Sequence, residues 1–291
     1  MTTTISRSIL ILALMVFSSK LSAADEPSKS GTTDIQLQRE KIMLAEIQSI
    51  RVTSTESGFP ESFEEKPIFR YTDPARSYVA AAVWKLGATG RPRAIITTEL
   101  HRQFRGQPII SYEFLSLTES EFTAAGNAET WSPSSSSLEF KPVPNAPTPD
   151  AAPRRRFLQM KEIVNRFSGE ETNIGEEYRF RLLPQPIDRY KPTDAEAADG
   201  GIFIAAYGTN PEVLLFVESD GATWRYAAGR LSGADKISLS IDGELAWTGP
   251  PCRFEFDADA AYTSSRSGIE IPGIAPDGSE IKTTSKPGRD E

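Results

Sequence analysis

The chain has 291 residues, 38% hydrophobic and 25% charged, with 32 basic against 40 acidic side chains, one histidine and one cysteine. That length suits one large domain or two ordinary ones, each able to bury a core, and the net charge of −8 argues against nucleic acid as a partner. The lone Cys252 excludes an intramolecular disulfide, and one His with one Cys makes no ordinary zinc site, so neither a metal nor another cofactor is expected.

In chain order, Arg7 precedes an apolar run from Ile9 to Phe17, and Ser22-Ala23-Ala24 follows. A positive charge, a short apolar core and small residues are the parts of a secretory signal. The run is shorter than the roughly 20 residues a membrane-crossing helix needs. We expect residues 1–24 to be cleaved near Ala24, leaving a periplasmic or secreted chain with no membrane span. Arg7 and Lys20 leave with the signal, so 30 basic residues would face 40 acidic ones.

Residues 25–33 read as flexible. From Asp34, which can cap, Ile35, Ile42, Met43, Ile47 and Ile50 gather on one side of a helix, with Leu37 and Leu44 opposite. Pro67-Ile-Phe-Arg-Tyr71 then opens a β region. Strands over 80–86 and 93–102 flank the glycine-bearing loop Gly87-Ala-Thr-Gly90, and a third spans 109–117. Period two on the second of these strands separates Ala94, Ile96, Thr98 and Leu100 from Ile95, Thr97, Glu99 and His101, so Glu99 and His101 share a face.

Pro142, Pro144, Pro147, Pro149 and Pro153 mark a linker, since such density suits neither a helix interior nor a central strand. Asp150 is a candidate cap for a second helix whose stripe is Phe157, Met160, Val164 and Phe167, stopped by Gly169. Pro186-Ile-Asp-Arg-Tyr190 then repeats the earlier Pro-Ile-x-Arg-Tyr, and apolar runs at 202–207 and 213–217 flank Gly208-Thr-Asn-Pro211. Ile237, Leu239 and Ile241 alternate up to Asp242-Gly243, a two-residue type I′ hairpin signal. Beyond Ser264 the composition turns to Ser, Gly, Pro and charge.

The expected fold is α+β and predominantly antiparallel β, made of two tandem similar units each led by an α-helix. The first occupies 34–141, the linker 142–153, the second 154–263, and a disordered tail 264–291. Arg70 precedes Glu99, and Arg189 precedes Glu218, by the same interval, which suggests one Arg–Glu ion pair per unit.

Pro67 to Arg76, Val83 to Ala94, Arg181 to Tyr190 and Gly208 to Glu218 resemble segments of a family of uncharacterised secreted proteins of planctomycete-type bacteria. The resemblance covers most of the mature chain. It implies a compartment and unit boundaries, and it carries no activity and no catalytic residue.

Two functions compete. Arg91, Arg93, Arg102 and Arg105 lie near one hairpin of an acidic protein, so an extracytoplasmic structural or interaction protein could bind an envelope component, an anionic polymer or an acidic protein there. The alternative is a hydrolase using His101 with Glu99, where Arg102 and Arg105 would hold an anion. A concave pocket around His101 favours the second, and a flat exposed hairpin would sink it. Glu255, Asp257 and Asp259 lack the turn glycine and closing glutamate of a calcium loop, and no phosphate-binding glycine motif is present.

Overall fold

The computed structural model describes residues 29–127, 129–173, 175–192, 198–252 and 255–281, so the expected signal at 1–24 lies outside the described residues. The elements run α1 (Lys29–Ser49), β1 (Arg51–Ser54), β2 (Phe69–Asp73), β3 (Tyr78–Leu86), β4 (Ala94–Phe104), β5 (Gln107–Ser116), β6 (Phe122–Ala125), β7 (Thr130–Trp131), β8 (Lys141–Pro142) and α2 (Pro153–Val164). They continue with β9 (Phe167–Asn173), β10 (Glu176–Arg179), β11 (Arg181–Leu182), β12 (Asp188–Tyr190), β13 (Ala198–Tyr207), β14 (Asn210–Asp220), β15 (Trp224–Arg230), β16 (Lys236–Ile241), β17 (Glu244–Thr248) and β18 (Tyr262–Gly268). All pairings among the named strands are antiparallel, so the fold is mainly antiparallel β, with two α-helices among the described residues.

Two sheets form the centre. One has the order β18-β5-β4-β3-β2, and the other β11-β13-β14-β15-β8 with β12 also on β13. Ala81, Val83, Ile95 and Leu115 of the first meet Ile202, Ile204, Leu214, Phe216 and Ala227 of the second in one shared core. Each Val, Ile, Leu or Phe among them contributes roughly 1.5–3 kcal/mol when fully buried, so this contact ties the two halves together. Met43 and Ile47 of α1 and Trp131 of β7 cover the outer face of the first sheet. Met160 and Ile163 of α2, with Ile237 and Leu239 of β16, cover the outer face of the second.

The pairing registers of the two sheets coincide at a fixed offset. In the first, Tyr71 pairs with Ala81 and Ala81 with Glu99. In the second, Tyr190 pairs with Gly200 and Gly200 with Glu218, each residue 119 positions after its counterpart. Antiparallel partners point to the same face, which places each tyrosine across one small residue from its glutamate. Tyr71 donates to Glu99 Oε1 at 2.6 Å, and Tyr190 to Glu218 Oε2 at 3.0 Å. The Arg–Glu pairs expected from the sequence do not form. Arg70 and Arg189 point to the opposite face from their tyrosine neighbours, and they meet Glu40 and Asp199 instead.

Gly200 is needed at its place, because a Cβ there would stand 2.6 Å from the Tyr190 ring. Gly200→Ala should cost about 1–3 kcal/mol by overpacking, while Gly233→Ala, with nothing near its Cβ, should leave the melting temperature unchanged. Thermal unfolding of the two variants checks this.

Four further differences have simple causes. Helix α1 begins at Lys29, within the stretch expected to be flexible, and Asp34 is not its cap but accepts from Gln38 inside the helix. Helix α2 starts at Pro153 with Ala152 as cap, and it ends at Val164 because Phe167 to Gly169 is taken into β9, paired with β16. The expected linker runs along the second sheet, where Pro142 pairs with Arg225 and Val143 is buried. The expected tail supplies β18, which pairs with β5, and then Ile271 and Ile274 of the first core; residues 282–291 lie outside the described residues. The Asp242-Gly243 turn is type I′ as expected, with φ of 51° and 86° at the two residues.

Candidate functional site

Each hairpin tip of one central sheet crosses to the tyrosine–glutamate pair of the other. Arg91, in the β3–β4 hairpin, makes a two-pronged ion pair with Glu218, Nη2 to Oε1 at 2.6 Å and Nε to Oε2 at 3.1 Å. Arg225, paired with Glu218 across β14 and β15, donates to Oε1 at 3.1 Å. Glu218 has no exposed surface, and with Tyr190 these donors saturate it. The positions that correspond in the first sheet carry smaller groups. Asn210 follows Arg91 by 119 residues, and Ser111 pairs with Glu99 across β4 and β5.

Where two arginines fill the second sheet's site, the first sheet therefore has a cavity of about 220 Å³. Glu99, His101, Ser111 and Glu113 line it from one sheet, and Asn210 and Glu212 from the other. Arg76, Glu171, Ser232 and the exposed Arg266 also line it. It is a concave site around His101.

Ser111 Oγ donates to Glu99 Oε2 at 2.8 Å and lies 2.8 Å from His101 Nε2, while His101 Nε2 is 3.6 Å from the same carboxylate oxygen. Because the hydroxyl proton goes to Glu99, His101 donates to Ser111 rather than waiting to take its proton. This is not the serine–histidine–carboxylate relay, in which the carboxylate orients the far ring nitrogen. Tyr78 stacks edge-on against the imidazole with centroids 4.1 Å apart. Burial opposes ionisation of Glu99, but the adjoining His101 and the Tyr71 and Ser111 hydroxyls outweigh it and hold the carboxyl below its usual range.

Glu113 and Glu212 go the other way. Glu113 is half-buried and lines the cavity, and burial together with the charge of Glu99 pushes its carboxyl up to about 8. Geometry agrees: Tyr262 Oη lies 3.0 Å from both Glu113 Oε1 and the Ser232 carbonyl, and its single proton can serve one of them. The carbonyl has no proton to give, so a protonated Glu113 satisfies both contacts. Burial and then the nearby Glu171 raise Glu212 well above the carboxylate range, against the pull of Arg76. Asn210 Nδ2 donates to Glu212 Oε1 at 3.1 Å, while its Oδ1 is buried without a partner.

The four arginines singled out in the sequence are not gathered in one place. Arg91 holds Glu218, and Arg93 pairs with Glu56 at 2.8 Å, both just before β4. Arg102 pairs with Glu280 at 3.3 Å, and Arg105 lies over Phe104 in the β4–β5 turn. Ten residues of strand, about 30 Å, separate the two ends. Glu99 and His101, by contrast, are brought together. The sequence does not single out Ser111, Glu113, Asn210, Glu171 or Glu212. The signal that marks Glu113 and Glu212 is parity: each shares a strand face with buried apolar residues, Leu115 in one case and Leu214 and Phe216 in the other.

Among the described residues no group of three or more His, Cys, Asp or Glu side chains is placed to hold a metal ion. Cys252 is half-buried, and burial raises its thiol. No family model, curated protein or solved structure matches the chain.

Proposed function

We propose that the protein is an extracytoplasmic binding protein that takes a small polar ligand into the cavity beside Glu99 and His101. The observation that carries this is the contrast between equivalent places: the second sheet's glutamate is sealed by Arg91 and Arg225, and the first sheet's is left open where Asn210 and Ser111 stand. The shared register at an offset of 119 supports reading the two sheets as tandem copies of one unit, of which the first has kept or gained a site. The compartment rests on the signal-like N-terminus, in keeping with the resemblance to secreted proteins.

A second reading, hydrolysis, is favoured by the concave site around His101 and by one further observation. The Glu99 carboxyl, held below its usual range, shares a sheet face with the Glu113 carboxyl, pushed up to about 8, the division of roles needed for a carboxylate base beside a carboxylic acid. Glu99 rather than Ser111 would then act.

The test is thermal unfolding of the mature chain with millimolar monosaccharides, amino acids and amines, beside the Ser111→Arg variant that copies the sealed site. At least one class should raise the melting temperature of the parent and leave the variant unmoved. If no class does so, the cavity is not a ligand site. Turnover of chromogenic glycosides or esters that disappears in Glu99→Gln would establish the second reading.

A further inference from the structure

We propose that the cavity selects a small organic cation, an ammonium-bearing molecule whose N–H groups reach Asn210 Oδ1 and the glutamates around it. The inference rests on the cavity being a ligand site and adds the class of ligand. Its first support is the excess of acidic over basic side chains. Glu99, Glu113, Glu171 and Glu212 line a space that also holds Arg76 and Arg266. Arg76 is committed to Asp73 and Glu212 at 3.0 Å and to Glu171 at 3.4 Å, and Arg266 lies over the Phe104 ring. An anion would find Arg76 already neutralised and only Arg266 to receive it, whereas a cation would find an excess of acceptors.

The second support is independent of charge. Asn210 is 6% exposed, and its amide oxygen has no donor. A buried acceptor left unpaired is destabilising, so a guest that supplies an N–H here recovers that loss. A metal ion does not meet the same need, since the glutamates surround a molecule-sized space and no three of the described carboxylate, His or Cys groups converge on a point. A neutral polyol would satisfy Asn210 but could not take the place of the Glu113 proton as the partner of a carboxylate.

Binding then carries a proton signature. Glu113 faces Glu99 and His101 from β4, Tyr262 and Arg266 from β18, Arg230 from β15, and Glu212 with Arg76 across the cavity. An ammonium ion entering beside it substitutes for the proton, which leaves to solvent while the carboxylate stays to pair with the guest. Below the pH at which free Glu113 ionises, affinity should therefore rise about tenfold per pH unit for each proton released.

Isothermal titration of the full mature chain tests this, with putrescine and ethanolamine as ammonium probes and with glucose, sodium phosphate and calcium chloride as neutral, anionic and metal probes. Titrations in two buffers of different ionisation enthalpy count the protons. The expected result is saturable binding of an ammonium probe with release of about one proton at pH 7, affinity rising toward pH 8. In Glu113→Gln, which keeps the shape of the neutral acid, the release should vanish. Ser111→Arg should abolish binding, with Asn210→Arg as the alternative plug if that variant fails to fold. Binding of glucose, phosphate or calcium in place of the ammonium probes overturns the cation while leaving the cavity a ligand site. Ammonium binding that persists in a folded plugged variant, or that releases no proton, also overturns the proposal. Failure of every probe overturns the cavity reading itself.

Discussion

Arg91→Ala should lower the stability of the protein by about 2–3 kcal/mol, whereas Arg189→Ala should cost less than about 1 kcal/mol. The difference is one of burial. Arg91 reaches a glutamate with no exposed surface and contacts both of its oxygens. Its removal leaves a carboxylate inside the protein with Tyr190 and Arg225 as its remaining donors. Breaking a buried pair from one side costs about 3–5 kcal/mol, and we place the effect below that range because the Arg91 side chain is itself 31% exposed. Arg189 is 42% exposed, and its partner Asp199 retains Arg156 at 3.5 Å. For a domain of about 150–250 residues, 1 kcal/mol moves the melting temperature by about 2–4 °C. The expected falls are thus roughly 4–12 °C for Arg91→Ala and a few degrees at most for Arg189→Ala, read by thermal unfolding. Equal losses in the two variants would show that Glu218 is not held as the geometry implies.

This pair also shows what the sequence conveys and where it stops. The interval between Arg and Glu is the same in both central sheets, and so is the interval between Tyr and Glu. Opposite charge draws attention to the first, but strand parity selects the second. In β2, Arg70 pairs with Ala82 and Tyr71 with Ala81, so the two side chains leave the sheet on opposite faces, and the glutamate is on the tyrosine's face. Local periodicity was equally informative on β4, where it placed Glu99 beside His101, and at Asp242-Gly243, where it identified the turn. The remainder of the site is assembled over long sequence distances. Glu113, Glu171, Asn210 and Glu212 come from three different strands besides β4, and whether they meet depends on how two sheets are laid together. Strand β18 is hidden for another reason. Tyr262-Thr-Ser-Ser-Arg-Ser-Gly268 has the composition of a loop, yet it pairs with β5 along its whole length, and its Ser264 faces the polar cavity rather than an apolar core.

The polar cavity should make the protein less stable as the pH rises from about 4.5 to about 8, with Glu113 as a principal cause. Its carboxyl is raised to about 8 by burial and by the charge of Glu99, while in the unfolded chain a glutamate titrates near 4.3. Between those values the folded protein binds a proton that the unfolded chain does not, so stability falls by up to about 1.4 kcal/mol per pH unit in that window. Below the window both states are protonated, and above it both are ionised, so the slope from this group disappears on either side. Glu113→Gln mimics the neutral acid and offers Tyr262 an N–H in place of the acid's O–H. It should leave stability near pH 4.5 within about 1 kcal/mol of the parent and raise it by several kcal/mol at pH 8. Urea unfolding at closely spaced pH values measures both quantities. The Glu99→Gln variant separates the causes, because removing the Glu99 charge lowers the energy of an ionised Glu113 while leaving it buried. The slope should then shift toward lower pH without vanishing. A parent whose stability is flat across this window would mean that Glu113 is ionised in the folded protein, and the cavity would then hold an uncompensated carboxylate within reach of Glu99, an arrangement that burial and like charge both disfavour.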